Sequence, residues 1–293
     1  MTDNPRFAIL EDRGILAVSG SDRTDFLQGL VSNDIGKVAP GHAVYAALLT
    51  PQGKYLHDFF VSEATGEGAD MLLLDCELGG LADLQKRLSI YKLRADVSLE
   101  DRSGDFTVAA IFGEGSIEAA MEGVAVYADP RLAKAGVRCV LAKADAQTLL
   151  EKAGFTATEP ADYDRLRLTL GLPDASRDLI PEKSILLENG FDELNGIDWD
   201  KGCYMGQELT ARTKYRGLVK KRLMPVTFVG PPPEPGTPIM LGEKEAGEVR
   251  SSQPAEDGGI GLALIRLEAL ENSADLMAGG VVVTPQKPDW MAL

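Results

Sequence analysis

The feature that most constrains the fold is a single change of character at Pro225. Before it, short apolar runs with strand character alternate with helical stretches. After it, strand-like runs follow one another with no helix between them. Residues 226–229, 238–241, 246–251, 260–265 and 281–284 are separated by Gly and Pro clusters, notably Gly230-Pro231-Pro232-Pro233-Glu234-Pro235-Gly236. Proline cannot donate to a strand ladder, and glycine reaches the φ values that tight turns need, so clusters of both punctuate short strands. Residues 223–293 read as a small all-β domain of barrel type, closing in a tail at 286–293.

Upstream, residues 7–10 and 15–18 flank Glu11-Asp12-Arg13-Gly14 and read as a hairpin. Ser19-Gly20-Ser21-Asp22 offers a helix N-cap, and Phe26, Leu27, Leu30 and Val31 follow at helical spacing. Residues 44–49 and 54–61 form a second hairpin around Pro51-Gln52-Gly53. Along its second strand Tyr55, His57, Phe59 and Val61 share one face, and Leu56, Asp58 and Phe60 the other. His57 and Asp58 therefore enter one pocket only if the strand bulges. Strands at 71–75, 106–112 and 136–142 alternate with helices at 78–88, 115–121 and 144–153. A helix at 160–170 is opened by Pro160 and stopped by Gly171-Leu172-Pro173. The layout recurs without a residue-level repeat, the pattern of split β-α-β modules in an α+β protein.

The chemistry concentrates in Lys201-Gly202-Cys203-Tyr204-Met205-Gly206-Gln207-Glu208. An amine, a thiol, a phenol, an amide and a carboxylate fall within eight residues, with two glycines to let the backbone bend. Asn195 to Asp200 reads as a turn into a short extended piece, and 206–219 as a helix, so the octet is expected on a strand-to-helix turn. A thiol at a helix N-terminus near a lysine has its thiolate favoured. Read alone, a lone cysteine is more often a small buried hydrophobe than a reactive group.

Charge and cysteine usage exclude several classes. Lys and Arg total 30 against 45 Asp and Glu, a net charge of −15, so nucleic acid and anionic membranes repel the chain at large. No apolar run approaches the ~18 residues of a membrane span. Met1-Thr2-Asp3-Asn4-Pro5 has neither a basic nor an apolar region of signal-peptide type. Cys76, Cys139 and Cys203 are scattered with no CxxC pair, so a self-contained zinc or iron–sulfur site is not expected, and a reducing cytoplasm is. Against this acidity, Arg212, Lys214, Arg216, Lys220, Lys221 and Arg222 crowd eleven positions without an acid. They read as a solvated helix face, as an anion site for a carboxylate-bearing ligand, or as a docking face for an acidic partner or RNA.

The octet resembles the K-G-C-Y-x-G-Q-E signature of the YgfZ family of folate-binding proteins, relatives of the glycine-cleavage T-protein, at every specified position. The resemblance extends to 26–34, 49–58, 165–173 and the arginine-rich segment. It implies two related ferredoxin-like α+β modules around a central opening plus the C-terminal barrel, with the modules at roughly 1–100 and 101–222. It implies tetrahydrofolate as the cofactor and a role in iron–sulfur cluster assembly or repair. The partners are folate and iron–sulfur client or scaffold proteins, with indirect support of tRNA-modifying enzymes. Cys203, helped by Lys201, is then the reacting group. Asn33, Asp34, Asp58 and Glu182 are candidates for the pterin edge, and Tyr204 or Tyr45 for a wall. Gln207 and Glu208 orient the turn, and Arg212, Lys214 and Arg216 hold the glutamate tail. Taken alone, Asn33 and Asp34 read first as loop and turn residues. The T-protein itself carries a glycine pair and an Asp-Asp pair where this chain has Gly53-Lys54 and His57-Asp58, which disfavours the alternative of aminomethyl transfer. A non-catalytic folate-dependent adaptor is the third reading.

Overall fold

A computed structural model describes residues 5–66, 70–115, 122–271 and 275–292. In chain order the elements begin with β1 (Arg6–Leu10), β2 (Arg13–Ser19), α1 (Arg23–Gln28), β3 (Val44–Leu49), β4 (Tyr55–Glu63), β5 (Met71–Glu77) and α2 (Leu81–Lys92). Next come β6 (Ser98–Asp101), β7 (Phe106–Phe112), β8 (Ala125–Ala128), β9 (Val137–Ala142), α3 (Ala146–Lys152) and β10 (Thr156–Ala157). Then follow α4 (Pro160–Leu170), α5 (Ala175–Asp178), α6 (Gln207–Tyr215), β11 (Lys221–Phe228), β12 (Pro238–Leu241), β13 (Lys244–Ala255), β14 (Gly258–Arg266), α7 (Leu267–Leu270), β15 (Leu276–Ala278) and β16 (Val281–Pro285). The helix expected at 115–121 lies, beyond residue 115, outside the described residues.

The chain divides into two compact units. The first comprises Met1–Leu49, Leu56–Tyr163 and Asn195–Met205; the second comprises Thr50–Tyr55, Asp164–Leu194 and Gly206–Leu293. Both α+β sheets fall in the first unit, and residues 164–194 and 206–220 group with the barrel rather than with a second module.

The first unit holds two five-stranded sheets, ordered β3-β4-β5-β2-β6 and β10-β1-β7-β9-β8. The hairpin expected from residues 7–18 does not form. β1 pairs with β7 in register Arg6↔Phe112 to Leu10↔Val108, while β2 pairs with β5 and β6. The tight turn at Glu11-Asp12 is present, but long-range apolar pairing sends its two arms to different sheets: Phe7 joins Ile111 and Cys139, and Leu16 and Val18 join Leu72 and Leu74. The second hairpin forms as read, since β3 and β4 are neighbours. Helix α2 lays Leu81, Leu84 and Leu88, the i, i+3, i+7 positions, on the first sheet against Phe59 and Val61. Helix α1 is only six residues long and stops at Gly29, so Leu30 and Val31 reach the same core from the segment beyond it.

The second unit carries a closed six-stranded barrel, β11-β14-β13-β12-β15-β16, with β16 returning to β11. Closure removes the exposed edges an antiparallel sheet would otherwise offer. Met224, Val226, Phe228, Ile239, Val249, Ala263 and Ile265 form its core. The C-terminal residues are not a loose tail: Trp290 Nε1 donates to the Leu170 carbonyl at 2.8 Å, and Met291 is buried in the barrel core.

Candidate functional site

The octet begins in the first unit, where the loop before it is tied to residues 31–33. Ser32 Oγ donates to the Gly196 carbonyl at 2.6 Å, Asp198 N to the Ser32 carbonyl at 3.0 Å, and Asn33 Nδ2 to the Asn195 carbonyl at 2.7 Å. Asp198 then caps the approach. Its Oδ1 accepts from the amides of Asp200 and Lys201, and its Oδ2 from Lys37 Nζ at 2.5 Å. Burial alone would raise Asp198, but these donors hold its carboxyl below the usual range.

Lys201 is 8% exposed and donates from Nζ to the carbonyls of Val31 at 2.7 Å and Asn33 at 2.6 Å. Its ammonium also lies 5.3 Å from the centre of the buried Tyr204 ring. Burial pushes its pKa down to about 8, with Asp34 and Asp198 pulling the other way. The amine is thus spent on two backbone carbonyls, which makes it an anchor for the octet. Between the two buried anchors Lys201 and Tyr204, Gly202 and Cys203 are exposed. A Cβ added at Gly202 meets nothing within 4 Å, so the chain here stands clear of its surroundings.

The expected strand-to-helix turn is corrected in both halves. No strand precedes the octet, because the backbone of 195–201 bonds to loop residues and to side chains. Helix α6 starts at Gln207, four residues after Cys203, behind a left-handed Gly206 with φ 84°. The thiol therefore does not sit on the helix N-terminus, whose field is confined to its first turn. In the second unit, the Pro51-Gln52-Gly53 turn meets the octet closely: a Cβ on Gly53, at φ 65°, would lie 3.1 Å from the Gly206 carbonyl oxygen and 3.2 Å from Leu209.

The residues proposed for a pterin edge fall in different environments. Asn33 gives both amide protons to backbone carbonyls, Tyr45 O and Asn195 O, and accepts from the Asp34 amide. Asp34 Oδ1 accepts from the Gly36 amide and Gln28 Nε2, so it is a turn cap. Glu182 is exposed at a left-handed turn, φ 63°, in the second unit. Asp58 is buried on β4, with Tyr45 Oη donating to it at 2.8 Å. Asp58 thus lies buried beside the tilted pair Tyr45 and Phe60, whose ring centres are 5.1 Å apart. Strand alternation holds here. His57 faces α2 and bonds to Asp83 at 2.8 Å, its pKa lowered by burial against the pull of Asp83, so His57 and Asp58 serve different environments.

Around Phe60 lies a network not read from the sequence. Arg13 Nε and Arg138 Nη2 bind opposite oxygens of fully buried Asp75 at 2.7 and 2.6 Å. Arg131 pairs with Asp129 at 2.8 Å, and Arg131 and Arg138 both donate to Tyr163 Oη. All three guanidiniums stand within 4.1 to 5.9 Å of the Phe60 ring centre. Burial alone would push Asp75 up, but the two arginines override it and hold its carboxyl low. The signal that was available is a lone charge inside an apolar strand, Asp75 in β5 and Arg138 in β9.

In the second unit Gln207 is half-buried, and Glu208, Arg212 and Arg216 are exposed on or just past α6. The basic run is not a uniform cation surface: Lys214 pairs with Asp192 and buried Arg222 with Glu193. Burial pushes the Cys76 and Cys139 thiols up to about 12, which leaves Cys203 as the exposed cysteine of the three. Among the described residues no group of three or more His, Cys, Asp or Glu could hold a metal ion, and no helix is long and apolar enough to cross a membrane.

Residues 220–293 match the family described as CAF17, C-terminal beta-barrel domain. The chain is similar to the mitochondrial iron–sulfur cluster assembly factor IBA57 of Mus musculus, at 34% identity over 309 residues, covering 96% of this chain and 84% of the relative. It is 32% identical over 307 residues to IBA57 of Homo sapiens, with the same coverage. Among solved structures, the glycine cleavage system aminomethyltransferase T of Bartonella henselae has a TM-score of 0.75 at 14% identity, covering 96% of this chain and 84% of that one, a likeness of fold. The expected α+β class with a C-terminal barrel agrees with both structure and fold likeness. The expected cytoplasmic location is overturned, because the relatives are named mitochondrial. Few cysteines and no disulfide describe any reducing compartment and do not single out the cytoplasm.

Proposed function

The chain belongs to the family of the IBA57 iron–sulfur cluster assembly factors, and from that premise we propose that it acts on a cluster through Cys203. The carrying observation is an exposed thiol held between two buried anchors, in a protein whose described residues offer no further set of metal ligands. A cluster takes about four protein ligands. One thiolate from this chain therefore completes a set whose other members belong to a scaffold or client protein. The step is ligand exchange. The Cys203 S–H proton goes to solvent, a sulfur–iron bond forms, and the bond to one partner ligand breaks as that ligand takes up a proton. No change of oxidation state is involved. The clients we place downstream include iron–sulfur enzymes that modify tRNA; the chain's net charge of −15 fits support through such enzymes rather than contact with RNA. The intact octet supports a YgfZ-like placement within this wider family.

We further assign tetrahydrofolate to the face of β4 that carries Asp58, the carboxylate held by Tyr45. Bound there, it would supply a one-carbon carrier, while Asp58 accepts from the pterin N–H edge and Tyr45 Oη fixes that carboxylate. The presence of His57-Asp58 where the T-protein has an acid pair argues against an aminomethyltransferase.

The test compares wild type with Cys203→Ser and Cys203→Ala in transfer of a cluster from a loaded scaffold to an apo client, followed by visible circular dichroism. Both variants should lose the acceleration with melting temperatures within about 1 °C of wild type, since an exposed turn residue leaves no cavity. Parallel loss of stability and activity would place Cys203 in the core. Calorimetric titration with tetrahydrofolate on wild type and Asp58→Asn tests the second assignment. The variant should bind at least about tenfold more weakly. No binding to wild type at roughly tens of micromolar removes the folate assignment and leaves the cluster role standing.

A further inference from the structure

The C-terminal end of α2 places large apolar side chains in water. Ile90 is 65% exposed, Tyr91 42% and Leu93 89%. Leu93 is anomalous twice. It follows the last helical residue with φ 43° and ψ −103°, a positive-φ conformation that residues with a Cβ rarely adopt. A leucine there carries backbone strain, and its side chain gains no burial in return. Nothing internal to the fold rewards either feature, and strain of this kind persists where a surface is used.

Two more observations define the surface. Its charge opposes that of the molecule: Lys86 and Arg94 are exposed and form no ion pair among the described residues, and Lys92 is half-buried beside them. The nearest acids are engaged within the fold, Asp83 by His57 and Arg87, and Asp96 by Ser21. Ala82, Gln85, Lys86, Ser89 and Ile90 form an open face along the same helix. The surface is also continuous with the octet inside one compact unit: Tyr91 Oη contacts Met205 Sδ at 3.2 Å, two residues from Cys203, and Met205 packs on the core that α2 covers.

We propose that this basic, apolar end of α2 is the docking surface for the protein partner that brings the remaining cluster ligands to Cys203, and that it takes an acidic segment with aliphatic anchors. This rests on the cluster-ligand reading above for its purpose, though not for its existence. Leu93 and Ile90 supply desolvated contact, Lys86 and Arg94 set the sign of the partner's charge, and Tyr91 sets its position relative to the octet. A bilayer fits less well, because it supplies no iron ligands and an anionic one repels a chain of net charge −15.

The probe is a pair of fluorescein-labelled peptides of about twelve residues, one of glutamate and leucine, the other of lysine and leucine, followed by anisotropy at low and high salt. The acidic peptide should bind wild type and Cys203→Ser alike, at least about tenfold tighter than the basic one, and more weakly in high salt. Leu93→Gly should weaken binding at least about tenfold while leaving the melting temperature equal or higher, since glycine relieves the positive-φ strain. A merely structural Leu93 would give the same stability gain with unchanged binding. Lys86→Glu with Arg94→Glu should reverse the peptide preference. The proposal is overturned if the acidic peptide fails to bind, if Leu93→Gly binds it as wild type does, if phosphatidylglycerol vesicles bind and the peptide does not, or if the surface proves to pair two copies of this chain. Peptide binding intact with cluster transfer unaffected by Cys203→Ser would sink the cluster-ligand reading and keep the docking surface.

Discussion

Replacing Lys201 with methionine separates an anchor from a chemical assistant. Lys201 Nζ makes two hydrogen bonds to the carbonyls of Val31 and Asn33, at 2.7 and 2.6 Å. A hydrogen bond from a charged donor contributes about 1.5–3 kcal/mol, and the burial cost that lowers this amine's pKa argues for the low end. Two such bonds give a loss of about 3 kcal/mol on Lys201→Met, whose flexible side chain preserves most of the apolar stem. With a urea m-value of roughly 2–3 kcal/mol/M, the unfolding midpoint falls by about 1 M. The pH dependence carries an independent sign. Folding lowers this pKa from 10.5 to about 8. Between those values the unfolded state binds more protons, so the group's contribution to stability rises with pH across that window and is flat below it. Lys201→Met should lack the rise. Urea titrations by tryptophan fluorescence at pH near 7 and near 9.5 read both effects. A variant with the wild-type midpoint that nonetheless loses cluster transfer would refute the anchor and make Lys201 an auxiliary of the thiol.

Two further outcomes follow from the same geometry. Native alkylation should modify Cys203 alone, with Cys76 and Cys139 reacting only on unfolding, because both are buried with thiols pushed up to about 12; mass mapping of labelled peptides would expose any error. Asp75→Asn leaves Arg13 and Arg138 short of a buried counter-charge and should destabilise the first unit by about 3–5 kcal/mol. In wild type, the depressed Asp75 pKa contributes stability above the ordinary carboxylate value and loses it as pH falls through the lowered folded value. A variant with unchanged acid denaturation would contradict this.

Local patterns in the sequence reached most of the fold. Strand β7, helix α4 and strand β12 fall at the residues read from alternation and from the proline and glycine stops. Pairing partners were out of reach where they depend on distant residues. The turn after Leu10 looks like a hairpin because its residues suit one, yet β1 finds β7 about a hundred positions away, and only tertiary packing decides that. Strand β15 was missed because three residues carry no period. The site was legible as a cluster of residue types but not as roles. Lys201 beside Cys203 suggests thiolate chemistry, whereas the folded chain turns the amine inward to two carbonyls. Asn33 and Asp34 proved to be turn residues and Asp58 a buried carboxylate, distinctions that depend on what lies across the sheet. The strained leucine at the end of α2 has no local signature, since φ is not written in side-chain pattern.

The central claim, that Cys203 becomes an iron ligand in a complex whose other ligands come from a partner, is tested most directly by its alkylation rate against cluster-loaded and cluster-free scaffold. A bound thiolate is unavailable to an electrophile. The account predicts that Cys203 reacts at least about tenfold more slowly with the loaded scaffold, and at its free rate once the cluster is chelated away. Equal rates with loaded and empty scaffold would contradict it.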